Sequence, residues 1–248
     1  MTFFRFSFLL MRLFFVPKCV ACGERLPTAH PNGVLCDACR DKYDNEKEAS
    51  CPACAARLSS CLCVPPDIPR TRVRRMVKIT RYRPSSEDVS AKIVYALKHR
   101  RLIDLQRFVA SEFVPALSPL LTDREEWLVS FPPRGAASLR RDGFDHAALV
   151  SRSLGEALLI PCVPCFIRAK QAVAQKRLSR TARLAAARSV YAMRDGVDVR
   201  GKRVILFDDV CTSGATLTAC ARLLYRAGAK EVVFAAFSIT PSKYAARF

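Results

Sequence analysis

The hydrophobic pattern divides the chain into a cysteine-rich start and a longer region in which helix and strand patterns alternate. Residues 204–207 are apolar at every position, which predicts a central parallel strand covered on both faces. Apolar residues recur at helical spacing over 214–227, and Gly228 follows as a stop signal. Similar evidence predicts strands near 77–82, 127–131, 162–167 and 232–237, and helices over 87–98 and 144–159. The alternation predicts an α/β domain over 86–248, with a parallel sheet flanked by helices.

Three stretches of different composition precede that domain. Residues 1–18 are apolar but carry Arg5 and Arg12, so we expect a short amphipathic or buried segment and no membrane span; contact with a membrane surface is the alternative. Residues 19–64 have little hydrophobic periodicity, so we expect metal to replace a core there. Residues 65–85 are basic and rich in proline, which predicts a linker that leads into the first strand.

Eight of the twelve cysteines form four close pairs within 19–63. Two thiolates from one tight turn can bind the same tetrahedral metal ion, and two such turns complete its coordination shell. The spacing therefore predicts two structural Zn²⁺ sites. Disulfides or free thiols are the alternative. The last pair has a single intervening residue, which makes the second site less secure, and the spacing does not tell which pairs share an ion. Metal binding by clustered cysteines fits a cytoplasmic protein. The predicted ligands are Cys19, Cys22, Cys36, Cys39, Cys51, Cys54, Cys61 and Cys63.

A loop of acidic, hydroxyl and small residues follows the predicted central strand. Parallel α/β sheets bind ligands at the carboxyl ends of their strands, and the amides of a helix start can hold a phosphate. The two carboxylates would repel phosphate but accept hydrogen bonds from vicinal ribose hydroxyls. A sugar 5-phosphate satisfies both halves of the motif; the alternative is a capped strand–turn–helix with an incidental acidic pair. The predicted ligand-binding residues are Asp208, Asp209, Cys211, Thr212, Ser213, Gly214, Ala215 and Thr216.

The net charge of +19 arises from 41 basic and 22 acidic residues, and it favours a polyanionic partner; an arginine-rich proteome is the alternative. No acidic residue occurs between Ala157 and Arg194, a segment that could neutralise pyrophosphate, follow a nucleic-acid backbone or form a solvated helical face. We expect His99 and His146 at the surface. Expected contacts to pyrophosphate or DNA are Lys98, Arg134, Arg140, Arg141, Lys176, Arg177 and Arg183.

Over nearly its whole length the chain resembles the ComF family of amidophosphoribosyltransferase-like proteins. The resemblance rests on the paired cysteines, Ala96-Leu97-Lys98, RRDGF at 140–144, Gln175 with Leu178 and Arg183, and DDVCTSGAT at 208–216. The chain departs from the family's usual RGFNQ, since it has RDGFDH at 141–146. The resemblance implies a double zinc ribbon before a type I phosphoribosyltransferase-like domain.

The same resemblance implies a ligand and partners. It implies binding of 5-phosphoribosyl 1-diphosphate (PRPP) with Mg²⁺, and a role in the uptake of single-stranded DNA during natural competence, together with DNA-uptake proteins. Enzymatic transfer of the sugar phosphate stays open, because the motif binds a ligand without itself establishing catalysis. The alternative is a non-catalytic nucleic-acid-binding or adaptor protein, in the cytoplasm or at the inner face of the membrane.

Overall fold

Four parallel strands form the central sheet of the described residues, in the order β1-β6-β5-β2. The computed structural model describes residues 16–27, 33–51, 54–65, 68, 71–83, 87–168 and 190–240. β5 lies inside the sheet, where it pairs with β6 on one side and β2 on the other. The strands of the sheet are β1 (Arg75–Arg81), β2 (Trp127–Ser130), β5 (Arg203–Cys211) and β6 (Glu231–Ile239).

Helices connect and cover these strands. Short 3₁₀ turns lie at Leu58–Ser60, Ser118–Leu120 and Arg124–Glu126. A separate antiparallel ribbon joins β3 (Phe166–Arg168) to β4 (Tyr191–Met193). The described α-helices are α1 (Asp37–Lys47), α2 (Val89–His99), α3 (Ile103–Ser111), α4 (Val114–Leu117), α5 (Ala136–Asp142), α6 (His146–Leu158) and α7 (Ala215–Arg226).

Most predicted elements lie within a few residues of their observed bounds. The predicted strand over 162–167 is shorter in the structure: Cys162 forms only an isolated bridge to Val129, and the strand proper begins at Phe166. Helices α1 and α3 were not predicted. The parallel sheet with flanking helices confirms the predicted α/β class.

Alternating strand residues supply two hydrophobic clusters, one on each face of the sheet. On β5, Ile205 and Phe207 belong to one cluster, whereas Val204 and Leu206 belong to the other. Helices α2, α3 and α6 contribute to the first cluster, and α7 contributes to the second. Burial on both faces explains why the β5 sequence is continuously apolar before its acidic residues.

The cysteine-rich region is packed into these clusters, which corrects the expectation that metal alone replaces a core there. Tyr43 on α1 is fully buried, and its ring lies 5.5 Å from that of Phe108 and 6.2 Å from that of Phe237. Leu35 joins the same cluster, while Leu58 joins the cluster on the opposite face. Hydrophobic contacts therefore tie this region to both faces of the sheet.

Within the described residues, no helix is both long and apolar enough to cross a membrane. Residues 1–15, most of the apolar segment predicted over 1–18, lie outside the described part of the chain, as do 169–189 and 241–248.

Candidate functional site

The two adjacent carboxylates lie where β5 extends beyond its neighbour β2. The last paired residue of β2 is Ser130, opposite Leu206, so Asp208 and Asp209 come after the end of that pairing. The Asp208 carboxylate accepts a hydrogen bond from the Asp209 amide at 3.0 Å, and the Asp209 carboxylate accepts one from the Val210 amide at 2.8 Å. This is the carboxyl edge of the sheet, where open α/β folds bind ligands.

Two side chains from different helices meet the Asp209 carboxylate. Its Oδ2 lies 3.0 Å from Lys98 Nζ and 3.2 Å from His146 Nε2. Burial alone would raise the pKa of Asp209, but the hydrogen bond and charge of His146, together with Lys98, outweigh burial and hold that pKa below its ordinary value. For Asp208, burial and the neighbouring Asp209 charge raise the pKa well above its ordinary value. The pair is therefore asymmetric, with Asp209 the more readily ionised acid.

The prediction that His146 lies at the surface is wrong. Its exposed fraction is 5%, because it starts α6 and the buried face of that helix packs against the sheet. Its Nδ1 has no hydrogen-bond partner among the described residues. The Asp145 side chain caps the helix by accepting from the Ala148 amide at 3.2 Å, which fixes the start of α6 and hence the position of His146.

The loop after the acidic pair presents hydroxyl groups to solvent. Thr212 and Ser213 are exposed, and Thr216 is half-buried in the first turn of α7. The helix hydrogen bonds begin with the Thr218 amide donating to the Gly214 carbonyl at 2.8 Å, so the first amides of α7 have no intrahelical acceptor. An anion is favoured at such a helix start.

Gly214 is required at the turn between this loop and α7. Its φ is +64°, and a Cβ at this position would lie 2.8 Å from Ile68 Cγ2 and 2.9 Å from Ile68 Cγ1. Both the backbone conformation and the close approach of Ile68 exclude a larger residue without strain. The turn is thus held against the segment that follows the cysteine pairs.

Cys211 is placed differently from the rest of the motif. Its side chain is buried in the hydrophobic cluster, and burial, together with the charge of Asp208, raises the pKa of its thiol to about 12. The thiol therefore belongs to the core beneath the loop. Cys162 and Cys165 are likewise unbridged, and burial raises the pKa of both thiols.

A second cluster of charges surrounds Asp142, which comes from the stretch in which this chain departs from RGFNQ. The Asp142 carboxylate lies 2.8 Å from the Arg134 guanidinium, 3.0 Å from that of Arg141 and 3.3 Å from His99 Nδ1. The hydrogen bond from Arg141, which outweighs desolvation, holds the pKa of Asp142 below its ordinary range. Arg140 is exposed beside it. One carboxylate thus partly neutralises two of the arginines expected to meet an anionic ligand.

Lys176, Arg177 and Arg183 lie outside the described residues, so the expectation for the acid-free basic segment remains a prediction. Lys98, by contrast, lies at the acidic pair. His146 was missed because its contact with Asp209 depends on packing between elements that are distant in sequence. The one available signal was its place directly after a capping Asp at a predicted helix start.

The cysteine pairs combine in sequence order into two groups of four. Within each group the sulfur atoms lie within 4.8 Å of one another, which fits a single metal ion. In the second group, sulfur–sulfur distances include 3.2 Å from Cys51 to Cys63 and 3.0 Å from Cys61 to Cys63. The single-residue spacing of the last pair therefore does not prevent a fourfold cluster. The first tetrad is Cys19, Cys22, Cys36 and Cys39, and the second tetrad is Cys51, Cys54, Cys61 and Cys63.

Comparisons with known proteins agree with this architecture. The family model described as Phosphoribosyl transferase domain matches residues 138–247. The chain is 27% identical to Competence protein ComFC of Bacillus subtilis over 80% of its own length and 80% of that protein. It is also 27% identical to DNA utilization protein YhgH of Salmonella typhimurium, over 84% of the chain and 91% of that protein.

A shorter and stronger similarity relates the chain to an enzyme. Over 35 residues, 14% of the chain, it is 57% identical to Adenine phosphoribosyltransferase of Mycobacterium avium. That match spans about a fifth of the relative's length (19%). These findings confirm the expected resemblance to the ComF family: the region matched by the phosphoribosyl transferase model follows the paired cysteines, and the chain is a homologue of ComFC and YhgH.

Proposed function

We propose that the chain binds PRPP, or a related ribose 5-phosphate, at the carboxyl edge of the sheet. The observation that carries the proposal is the acidic pair of β5 directly before the exposed hydroxyl loop and the start of α7. Carboxylates of Asp208 and Asp209 would accept hydrogen bonds from the ribose hydroxyls. The amides and hydroxyls of 212–216 would hold the 5-phosphate.

The diphosphate of the ligand would lie toward the cations that border this edge. The described candidates are Lys98, Arg134, Arg140 and Arg141, and their positive charge would stabilise the charge that develops on a departing diphosphate. Mg²⁺, bound together with the diphosphate, would neutralise part of its charge. Transfer of the sugar phosphate to a nucleophile would then depend on positioning between these groups.

We further propose that both cysteine tetrads hold Zn²⁺. All four ligand atoms of each tetrad are sulfur, the donor set of many structural zinc sites. With a Zn–S distance of about 2.3 Å, a tetrahedral site has sulfur–sulfur distances of roughly 3.8 Å. The 3.6 Å between Cys22 and Cys36 and the 3.7 Å between Cys63 and Cys54 are close to that value, whereas three other sulfur–sulfur distances in the second tetrad are shorter, at 3.0–3.2 Å.

Calorimetry with PRPP and Mg²⁺ tests the ligand site. We expect Asp209→Asn to weaken binding at least tenfold, because it removes the carboxylate that Lys98 and His146 hold in place. The matched control is Asp198→Asn, which removes an exposed carboxylate before the amino end of β5. An unchanged heat of binding in the Asp208→Asn/Asp209→Asn double variant would refute the site. Free ribose 5-phosphate, run in parallel, separates the sugar-phosphate contacts from those to the diphosphate, and released diphosphate reports turnover.

A second function, binding of single-stranded DNA, is favoured by a specific surface at the end of α2. Tyr95 is 62% exposed, and its ring lies 4.6 Å from the ring of His99. Arg100 and Arg101 follow and are exposed. Exposed aromatic rings among cations are typical of surfaces on which bases stack while the backbone is neutralised. Similarity to ComFC, a competence protein, and to YhgH, a DNA utilization protein, supports a role in the handling of incoming DNA, which we propose takes place in the cytoplasm or at the inner face of the membrane.

Fluorescence anisotropy with a labelled oligo(dT) tests this function through two variants of opposite effect. Tyr95→Leu should weaken binding by about 1–3 kcal/mol, the value of one stacked base. Asp142→Asn should strengthen binding and steepen its salt dependence, because it frees Arg134, Arg141 and His99 from their shared carboxylate. If wild-type protein shows no affinity even at low salt, or if neither variant changes it, DNA does not bind at this surface.

A further inference from the structure

Lys78 is a fully buried lysine that the proposed ligand site does not use. It lies on β1, and its exposed fraction is 0%. Its Nζ donates to the carbonyls of Cys63 at 2.9 Å, Cys61 at 3.1 Å and Met76 at 3.3 Å, and to the Cys61 sulfur at 3.2 Å. A buried ammonium is costly unless an anionic group compensates its charge. Every acceptor recorded for this ammonium within the described residues is a backbone carbonyl or the Cys61 sulfur.

The second tetrad can supply the missing negative charge. Four ionised thiolates around one divalent ion carry a net charge of about −2 by formal count, so the filled site is an anion. The ammonium of Lys78 touches this site directly through the Cys61 sulfur and indirectly through the two carbonyls of the Cys61 and Cys63 turn. Charge-assisted hydrogen bonds of this kind are stronger than neutral ones, and they also fix the orientation of the ligands.

The first tetrad has the opposite electrostatic neighbour. The Glu24 carboxylate lies 3.9 Å from the Cys22 sulfur. A carboxylate beside an anionic metal–thiolate centre disfavours it by like-charge repulsion, whereas an ammonium stabilises it. The two tetrads therefore share a ligand set, but a carboxylate lies beside a ligand sulfur of the first and an ammonium beside one of the second.

We propose that Lys78 is the counter-ion of the metal–thiolate centre at the second tetrad and makes that centre the tighter of the two. In this role it is a positioning residue: it holds the Cys61 and Cys63 turn from the sheet side and offsets part of the charge of the filled site. The proposal rests on zinc binding by the tetrads, which is itself proposed above. The two ideas can fail separately, because zinc content and zinc release are measured independently.

The test uses the full-length protein, loaded with Zn²⁺, in competition with a chromophoric chelator. Zinc content by mass spectrometry comes first: no bound zinc would refute zinc binding at the tetrads. With two zinc ions bound, Lys78→Met should weaken the affinity of one site about 10–100-fold, the usual effect of removing a group that orients a metal ligand. The other site should be unchanged. Lys230→Met, which removes an exposed lysine paired with Glu126, is the matched control and should affect neither site.

A measurement on the wild-type protein keeps the proposal testable if Lys78→Met fails to fold. Limiting chelator is added with a thiol-alkylating reagent, and peptide mapping shows which cysteines become modified first. We expect the first tetrad to lose its zinc and become alkylated before the second. Equal release from the two tetrads, or earlier release from the second, would overturn the proposal. So would a folded Lys78→Met protein that keeps wild-type zinc affinity at both sites.

Discussion

Substitution of Gly214 by alanine offers a quantitative test of how the turn before α7 is held. The position combines φ of +64° with an approach of 2.8 Å between an added Cβ and Ile68 Cγ2. The left-handed conformation costs about 1–2 kcal/mol for a residue with a Cβ. Forcing a methyl group against the branched Ile68 side chain adds the cost of overpacking, about 1–3 kcal/mol. Gly214→Ala should therefore lower the free energy of unfolding by roughly 2–5 kcal/mol.

A matched glycine separates the two costs. Gly143, which ends α5, has φ of +74°, yet an added Cβ there would meet no atom within 4 Å. Gly143→Ala should consequently cost only the conformational part, about 1–2 kcal/mol. In an Ile68→Ala background the two closest contacts of the added Cβ are removed and only the one to the Cβ of residue 68, at 3.2 Å, stays, so Gly214→Ala should there cost little more than Gly143→Ala. The double-mutant cycle should yield a coupling energy of about 1–3 kcal/mol, within the range found for residues in contact.

Urea unfolding at saturating Zn²⁺, followed by the fluorescence of the single tryptophan, Trp127, measures these differences. Trp127 is buried at the start of β2, so its emission should report loss of the sheet. The reasoning fails if Gly214→Ala costs the same with Ile68 and with Ala at position 68. It also fails if Gly214→Ala is no more harmful than Gly143→Ala.

Two further predictions concern the acidic pair. Asp208→Asn should stabilise the fold near neutral pH, because the substitution removes a carboxyl whose ionised form is disfavoured by burial and by Asp209. The same substitution should weaken PRPP binding. Thermal unfolding measures the stabilisation, and a gain of 1 kcal/mol corresponds to about 2–4 °C in Tm. Because the pKa of Asp208 is raised, its contribution to the free energy of unfolding is favourable at low pH and is lost as pH rises through that pKa. The gain in stability from Asp208→Asn should therefore shrink on acidification. A gain that does not depend on pH would contradict the assigned cause. Asp209 behaves in the opposite way, because its pKa is lowered: the ionised carboxylate stabilises the fold above the ordinary carboxyl pKa of about 3.9, and this stability should be lost as pH falls below that value. Acid unfolding of Asp209→Asn should not show this loss.

Local sequence predicted the strand, loop and helix of the proposed ligand site because these parts are contiguous. An apolar strand, two acids, hydroxyl residues and a helix follow one another within 204–227, so neighbours in sequence are also neighbours in space. Lys98 was found through the family resemblance. The structure then shows what no local pattern contains, namely that Lys98 and His146 converge on one oxygen of Asp209 from two different helices.

Lys78 shows why other features escaped prediction. It lies in a segment rich in arginine and lysine, whose composition does not mark it as buried, although its place inside the run MVKIT is a signal that a lysine occupies an apolar strand. Its partners come from the turn at Cys61 and Cys63. The number of residues between that turn and Lys78 does not show that the two are in contact. The division of the eight cysteines into two tetrads was hidden for the same reason.

These contacts determine how the roles of the cysteine-rich region can be tested. Removal of residues 1–64 would be the direct way to ask whether that region docks partner proteins. It would also expose Phe108 and Phe237, on which Tyr43 packs, and leave Lys78 without its Cys61 and Cys63 acceptors. A buried ammonium without its partners is strongly destabilising, so loss of binding in the truncated chain would report unfolding of the sheet.

Point changes on the outer surface of the region avoid this difficulty. Arg57 and Glu48 form an exposed ion pair there, and surface pairs of this kind contribute little to stability. A charge-reversal exchange, Arg57→Glu with Glu48→Arg, should therefore leave Tm and zinc content unchanged. A partner that recognises this surface would lose affinity for the exchanged protein, whereas PRPP binding at the acidic pair should be kept. The adaptor role is thereby separable from the ligand site, which truncation cannot achieve.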